Sequence, residues 1–193
     1  MKLIFATQNI GKAKEVKAIF ANTSIDIISL YDLGNNIDIE EHGKTFSENA
    51  FIKAQTVYDI YREPVAADDS GLSIDQLDGR PGVYSARYAG VNCTYEDNNL
   101  KVINELKALS EPHKAKFISC AVFYDGKNKI EAFGELHGKI ILEQRGMHGF
   151  GYDPIFIPDG YNQTISEMDF EEKNKISHRA QSFNLLKEKL LDL

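Results

Sequence analysis

The apolar period of the chain switches back and forth along its first third. "KLIFA" (2–6) is a short continuous apolar run that stops at Thr7, and "GKAKEVKAIFA" (11–21) then places Val16, Ile19 and Phe20 at helical intervals. This predicts strand, turn and helix, the helix beginning near Lys12. "SIDIISL" (24–30) alternates as a strand does, and a polar loop with Gly34, Asn35 and Asn36 follows it. Thr45 with Glu48 three residues on forms a capping box. Phe46, Ala50, Ala54, Val57 and Tyr61 then trace one face of a second helix, which Pro64 ends. "VAA" (65–67) predicts a strand that delivers Asp68, Asp69 and Ser70 at its carboxyl end, where Gly71 frees the backbone to turn.

Residues 78–90, "DGRPGVYSARYAG", predict an ordered loop, and Thr94 with Asp97 caps a helix whose Leu100, Ile103 and Leu106 face inward. Between 115 and 140 the period falls to about two residues, with "DGKN" as the turn of a hairpin. "GFGYDPIFIPDG" (149–160) predicts turn, short strand, turn. Thr164 with Glu167 forms another cap, and Ser177 opens a last helix carrying Phe183, Leu186 and Leu190. No repeat, low-complexity tract or linker interrupts the pattern, so residues 1–193 read as a single α/β domain on a mixed sheet, folded in two lobes.

Composition narrows the partners. A hydrophobic fraction of 42% over 193 residues supports a core of ordinary size. Lys and Arg total 22 against 29 Asp and Glu, and the net charge of −7 argues against non-specific binding to nucleic acid or an anionic membrane. Cys93 and Cys120 lack the paired spacing of a zinc or redox site, which predicts reduced packing residues. "MKLIFATQNIGK" is too short in apolar residues for a signal-peptide core and no later stretch approaches a membrane span, so the expected location is cytoplasmic.

Four polar clusters are candidates for chemistry. In "TQNIGKAKE" (7–15) a strand end passes through Thr7, Asn9 and Gly11 into a helix, whose unpaired amides attract phosphate while Lys12 adds a mobile charge. It is either a phosphate cradle or a plain capped helix with a solvated lysine. It is not a Walker A loop, because position 6 is Ala and Lys12 is followed by Ala13. In "AADDSGLSI" (66–74) two adjacent carboxylates need a cation, a shared proton or open solvent, and on a strand they point to opposite faces. A magnesium ion on Asp69 and one distant acid, Glu40 or Glu41, would satisfy them; an Asx-type turn before Gly71 is the plainer alternative.

The third cluster is "HGFGYDP" (148–154), where glycines on both sides let the Phe150 face lie open to a flat ligand and Asp153 offers an acceptor; a core Phe in a tight turn would look the same. The fourth, "EEKNKISHRAQ" (171–181), puts His178 and Arg179 in the first turn of a helix, the end already positive, so something anionic or carbonyl-rich should face them unless the turn is simply solvated. Elsewhere His42, His113 and His137 have no metal-like spacing, and no G-x-S-x-G elbow exists.

"TQNIGKAKE", "EEHGKTFSENAFIKA", "ADDSGLSIDQLDGRPGVYSARYAG", "FGYDPIFIPDG" and "SHRAQSF" occur in this order over nearly the whole chain. In that series the sequence closely resembles the inosine triphosphate pyrophosphatase family, the XTP/dITP pyrophosphatases that clear non-standard purine nucleotides. The resemblance implies hydrolysis of ITP, dITP or XTP to the monophosphate and pyrophosphate with Mg²⁺. It implies a homodimer of elongated α/β subunits, each a mixed sheet flanked by helices with the active-site cleft between two lobes.

Position by position, the resemblance makes Thr7, Gln8, Asn9, Ile10, Gly11 and Lys12 the triphosphate loop, with Asn9 and Lys12 as contacts. Glu40 and Asp69 match the metal-binding acids, with Glu41 as the alternative to Glu40; Asp69 also matches the base for water and Ser70 a substrate contact. Phe150, Gly151, Tyr152 and Asp153 match the base pocket, and Lys173, His178 and Arg179 the wall that closes on base and phosphate. Gln8 and His148 stand where the family often has glycine. The implied chemistry is in-line attack on the α-phosphorus by water oriented by Asp69, with magnesium and Lys12 neutralising the leaving pyrophosphate. Donors from His178 and Arg179 would favour a 6-keto purine, so that Arg179→Ala mainly erodes the preference for inosine over adenosine triphosphate. A non-catalytic nucleotide sensor and a sibling enzyme for pyrimidine or methylated nucleotides are the readings it competes with.

Overall fold

The computed structural model describes residues 1–192. Six strands and five helices lie among the described residues: β1 (Lys2–Phe5), α1 (Ile10–Phe20), β2 (Asp26–Ser29), α2 (Phe46–Tyr61), β3 (Val65–Ile74), α3 (Tyr95–Leu106), β4 (His113–Tyr124), β5 (Lys129–Ile140), β6 (Phe156–Pro158), α4 (Phe170–Ile176) and α5 (His178–Leu191). The sheet runs in the order β2-β1-β3-β4-β5-β6. It is mixed, since β1 pairs parallel with both β2 and β3 while β5 and β6 are antiparallel. No described helix is long and apolar enough to cross a membrane.

The chain forms two compact units, the first made of Met1–Asp69, Ser119–Gly134 and His178–Leu193, the second of Ser70–Ile118 and Glu135–Ser177. In the first unit β1 is buried on both faces, which is why "KLIF" reads as an unbroken apolar run rather than an alternation. Leu3 and Phe5 pack with Val16 and Phe20 of α1 and with Phe183, Leu186 and Leu190 of α5; Ile4 packs with Ala50, Ala54 and Val57 of α2. The rings of Phe5 and Phe183 meet edge to face at 5.3 Å. Cys120 sits in the α2-side core as a free thiol, and burial pushes it up to about 12. In the second unit Leu72 and Ile74 of β3, Val102 and Leu106 of α3, Phe117, Tyr152 and Phe156 form a separate core.

Most of the punctuation read from the sequence is present. Thr45 accepts from the Glu48 amide at 3.1 Å and Glu48 accepts back from the Thr45 amide at 3.3 Å. Thr94 with Asp97 and Thr164 with Glu167 repeat the arrangement, the latter on a single 3-10 turn.

Four expectations are corrected. β3 does not stop at Ala67 but runs on to Ile74, so Asp68, Asp69 and Ser70 lie in mid-strand and Gly71 turns nothing. The local cue of Asp, Ser and Gly is overridden because Leu72 and Ile74 beyond it belong to the second unit's core. Leu100 is exposed; the face of α3 that turns inward carries Asn98, Asn99, Val102 and Leu106. Residues 170–176, where the sequence marked no helix, form one capped by Asp169, whose side chain accepts from the Glu172 amide at 2.7 Å. The loop at 78–90 holds a 3-10 segment, Gly82–Arg87.

The first unit also carries a local pH-dependent lock. Asp32, following β2, accepts from the Ser29 amide and hydroxyl at 2.8 and 2.6 Å and from Lys17 at 2.8 Å, and these donors, Lys17 first, lower its carboxyl to about 2. A depressed carboxylate stabilises the fold above its unfolded value, near 4, and stops doing so as pH falls through about 2. Because the group is partly solvated, we expect Asp32→Ala to cost about 1 kcal/mol at neutral pH and nothing below the folded value. Urea titrations of both proteins across that range measure the difference.

Candidate active site

The site in the first unit is built around the amino end of α1. After β1 the chain turns through Thr7, whose hydroxyl accepts from the Asn9 amide at 3.2 Å; Asn9 in turn caps the helix, accepting from the Lys12 amide at 3.1 Å. The helix therefore starts at Ile10, two positions earlier than expected, and Gly11 and Lys12 lie inside its first turn. Gln8, the residue that departs from the glycine pattern, donates to the Ile37 carbonyl at 3.0 Å and so ties this turn to the 35–41 segment. Ile10 is exposed. A cavity of about 300 Å³ opens here, lined among others by Thr7, Gln8, Asn9, Lys12, Glu41 and Lys53. Amides at a helix start and two ammonium groups around one cavity suit a polyanion.

Asp68 and Asp69 divide the neighbouring strand between two tasks. The Asp68 carboxylate holds Lys12 Nζ at 3.0 Å and Arg179 Nε at 3.0 Å, and Arg179 Nη1 reaches Glu15 at 2.7 Å, all of these side chains buried except the partly open lysine. Burial alone would raise Asp68, but Lys12, Arg179 and Lys53 hold it well below the carboxylate range. Arg179 is held above its ordinary value by Asp68 and Glu15, against its own desolvation. Lys12 is lowered by burial, which outweighs Asp68.

Asp69 points the other way. It accepts from Lys53 Nζ at 3.0 Å and from the Asn49 amide group at 3.1 Å, and Lys53 also meets Glu41 at 3.0 Å. Burial raises Asp69 above the carboxylate range, Lys53 offsetting only part of it and Glu41 adding to it. Lys53 is raised, because Asp69, Glu41 and Asp68 together outweigh its desolvation.

These contacts bear on a metal. Two carboxylates, Asp69 and Glu41, already converge on one cationic centre, the Lys53 ammonium. Among the described residues no group of three or more His, Cys, Asp or Glu forms a complete cage. Two acids fit Mg²⁺, which takes one or two protein carboxylates and fills its remaining positions with water and substrate phosphates. Glu40 is exposed, whereas Glu41 lines the cavity.

The second unit carries the aromatic cluster. Gly149 (φ +80°) and Gly151 (φ +65°) lie in the left-handed region, and a Cβ on Gly149 would come within 2.1 Å of an Asp153 oxygen. Asp153 accepts from the Phe150 amide at 2.9 Å and from Lys173 Nζ at 2.7 Å, and that ammonium stands 4.4 Å from the centre of the Phe150 ring. Tyr152 is buried, its hydroxyl on the Ser85 carbonyl at 2.8 Å. Ser70 is half-buried on β3.

Thus the structure joins Thr7, Gln8, Asn9 and Lys12 around one cavity and Phe150, Asp153 and Lys173 around one ring. Arg179, read as a donor toward a base, has Nε and Nη1 committed to buried acids, and His178 is buried at the start of α5. Those acids are the anionic partners that cations at a helix start required. Sequence reasoning missed Lys53, Asn49, Glu15 and the anchoring role of Asp68. Asn49 and Lys53 did leave a trace, four residues apart on α2 beside its apolar stripe. The Glu15–Arg179 pair spans 164 positions and left none.

Comparison with known proteins fits this picture. The chain is 44% identical over 193 residues to the dITP/XTP pyrophosphatase of Caldanaerobacter subterraneus subsp. tengcongensis, covering 99% of this chain and 96% of that protein. It is 47% identical over 191 residues to the dITP/XTP pyrophosphatase of Bacillus subtilis, covering 98% and 96%. The solved HAM1 protein from Coxiella burnetii superposes with a TM-score of 0.90 at 36% identity, over 100% of both chains. Residues 3–189, which hold every candidate named above, match the model of the Ham1 family, and the chain belongs to that family.

Proposed function

We propose that the protein hydrolyses non-standard purine nucleoside triphosphates of the dITP and XTP class to the monophosphate and pyrophosphate. The observation that carries this reading is the α1 cavity, where a helix start and two lysines stand beside adjacent carboxylates of opposite use. The names of the relatives supply the substrate class. The polyphosphate arm takes the Ile10 and Gly11 amides at the start of α1, with Lys12 turning from Asp68 to the leaving pyrophosphate. Asp69 orients the attacking water and accepts its proton as oxygen bonds to the α-phosphorus and the bond to the bridging oxygen breaks. Lys53 keeps that carboxylate in place. Asp69 and Glu41 would hold Mg²⁺, which supplies neutralisation of the phosphate charge. In the second unit, Phe150 offers the base a ring face and Lys173 a donor.

The same reading includes a cytoplasmic homodimer, for which sedimentation at twice the chain mass is the expected result. Its central test is pyrophosphate release across purine triphosphates with and without Mg²⁺. We expect dITP and XTP to exceed ATP in kcat/KM by about 100-fold, the scale set by donors that lose their partner, and release to stop in chelator. Equal use of ATP, or activity indifferent to Mg²⁺, would refute it.

A further inference from the structure

The first turns of α3 hold the base-recognition loop without containing any of its residues. Asn99 is 1% exposed in a helix that also buries Asn98, Val102 and Leu106, and its Nδ2 donates to the Gly151 carbonyl at 3.1 Å and to Gln144 at 3.3 Å. Its Oδ1 is buried and has no hydrogen-bond partner among the described residues. An orphaned buried oxygen destabilises a fold, and an apolar side chain would pack beside Val102 without that cost. The neighbouring Asn98 shows the contrast: its oxygen accepts from the Ala89 amide at 2.7 Å and the Cys93 thiol at 3.2 Å, and its Nδ2 donates to the Ala86 carbonyl at 3.2 Å. One turn before Asn99, on the same face of α3, Tyr95 is 50% exposed with its ring 6.4 Å from that of Phe150 and tilted by 40°.

We propose that Tyr95 and Asn99 are positioning residues for base selectivity. Asn99 pins the left-handed Gly151, which follows Phe150 directly, and Tyr95 limits the swing of the Phe150 ring from the side. The pair fixes the ring against which a flat purine lies, and does so at the expense of one unpaired oxygen in the core. This rests on the proposed function, deepening its base-reading half and leaving the phosphate chemistry of the first unit untouched. A residue kept only for stability would not be an asparagine with an idle acceptor.

The experiment compares Tyr95→Ala and Asn99→Leu with wild type, reading kcat and KM for XTP and ATP, each with a thermal melt. We expect KM for XTP to rise about tenfold in each variant with kcat within about twofold, ATP to change little, and the XTP-to-ATP ratio of kcat/KM to shrink accordingly. Asn99→Leu gives up two hydrogen bonds together with the orphaned oxygen, losses and gain of similar size, and should melt close to wild type. Parallel losses on both substrates together with a lowered melt, or an unchanged ratio in folded variants, would overturn the inference. Should Asn99→Leu not fold, that alone contradicts the idle-acceptor reasoning, and Tyr95→Ala, at an exposed position, still reports on selectivity. A wild type that cleaves no purine triphosphate would remove the proposed function and this inference with it. An active wild type whose variants keep full selectivity would remove this inference alone.

Discussion

Asp69→Asn is expected to fold as the wild type does and to release pyrophosphate about a thousandfold more slowly. The fold survives because the substitution removes a charge that burial already disfavours. Lys53 keeps its bond to Glu41 at 3.0 Å, and an amide oxygen still accepts from one neighbour. We expect a stability change within about 2 kcal/mol. Turnover does not survive, since an amide is no proton acceptor and a poorer ligand for a hard cation. The comparison to make is kcat beside a urea melt. A variant within tenfold of wild type would take Asp69 out of the mechanism, and one that fails to fold would show the carboxylate to be structural.

Arg179→Ala should instead act on stability, lowering it by about 3–5 kcal/mol, because the alanine leaves Asp68 and Glu15 buried without their cation. Asp68 keeps Lys12 at 3.0 Å, whereas Glu15, 2% exposed, loses its 2.7 Å bond to the Arg179 guanidinium and should account for much of the loss. Adding Glu15→Gln to Arg179→Ala is therefore expected to restore a large part of it, a coupling that a double-mutant cycle in urea reads directly. This replaces the expectation drawn from the sequence, that the substitution would chiefly alter purine preference. An unchanged melt with a shifted inosine-to-adenosine ratio would reinstate that expectation.

What the sequence disclosed follows from the range of the interactions. Capping boxes at Thr45, Thr94 and Thr164 were legible because donor and acceptor lie within four residues, and α1, α2 and α5 because their apolar spacing is local. The course of β3 was misread because its signal depends on two cores at once: Asp68, Asp69 and Gly71 look like a turn until Lys12, Lys53 and Arg179 neutralise the acids and Leu72 is seen to be buried. The short α4 was hidden by its charges, though Asp169 marked its start.

The candidate site divides in the same way. Residues 7–12 and 150–153 announced themselves through glycine and helix-start patterns, whereas Glu15 meets Arg179 from 164 positions away with no local pattern to betray it, and Lys53 left only its four-residue spacing from Asn49. The split between Asp68 and Asp69 was foreseen from strand geometry alone, since successive side chains face opposite ways. Their division of labour needed the structure. One is locked as a carboxylate by Lys12 and Arg179, the other raised by burial beside Lys53 and Glu41, the divergence that the proposed pairing of an anchoring acid with a proton acceptor requires.

The direct test is a single-turnover reaction on XTP in ¹⁸O-labelled water, with products resolved by mass. Attack at the α-phosphorus by water that Asp69 deprotonates places one labelled oxygen in the monophosphate and none in the pyrophosphate. Label in the pyrophosphate, or orthophosphate as the first product, would contradict the account.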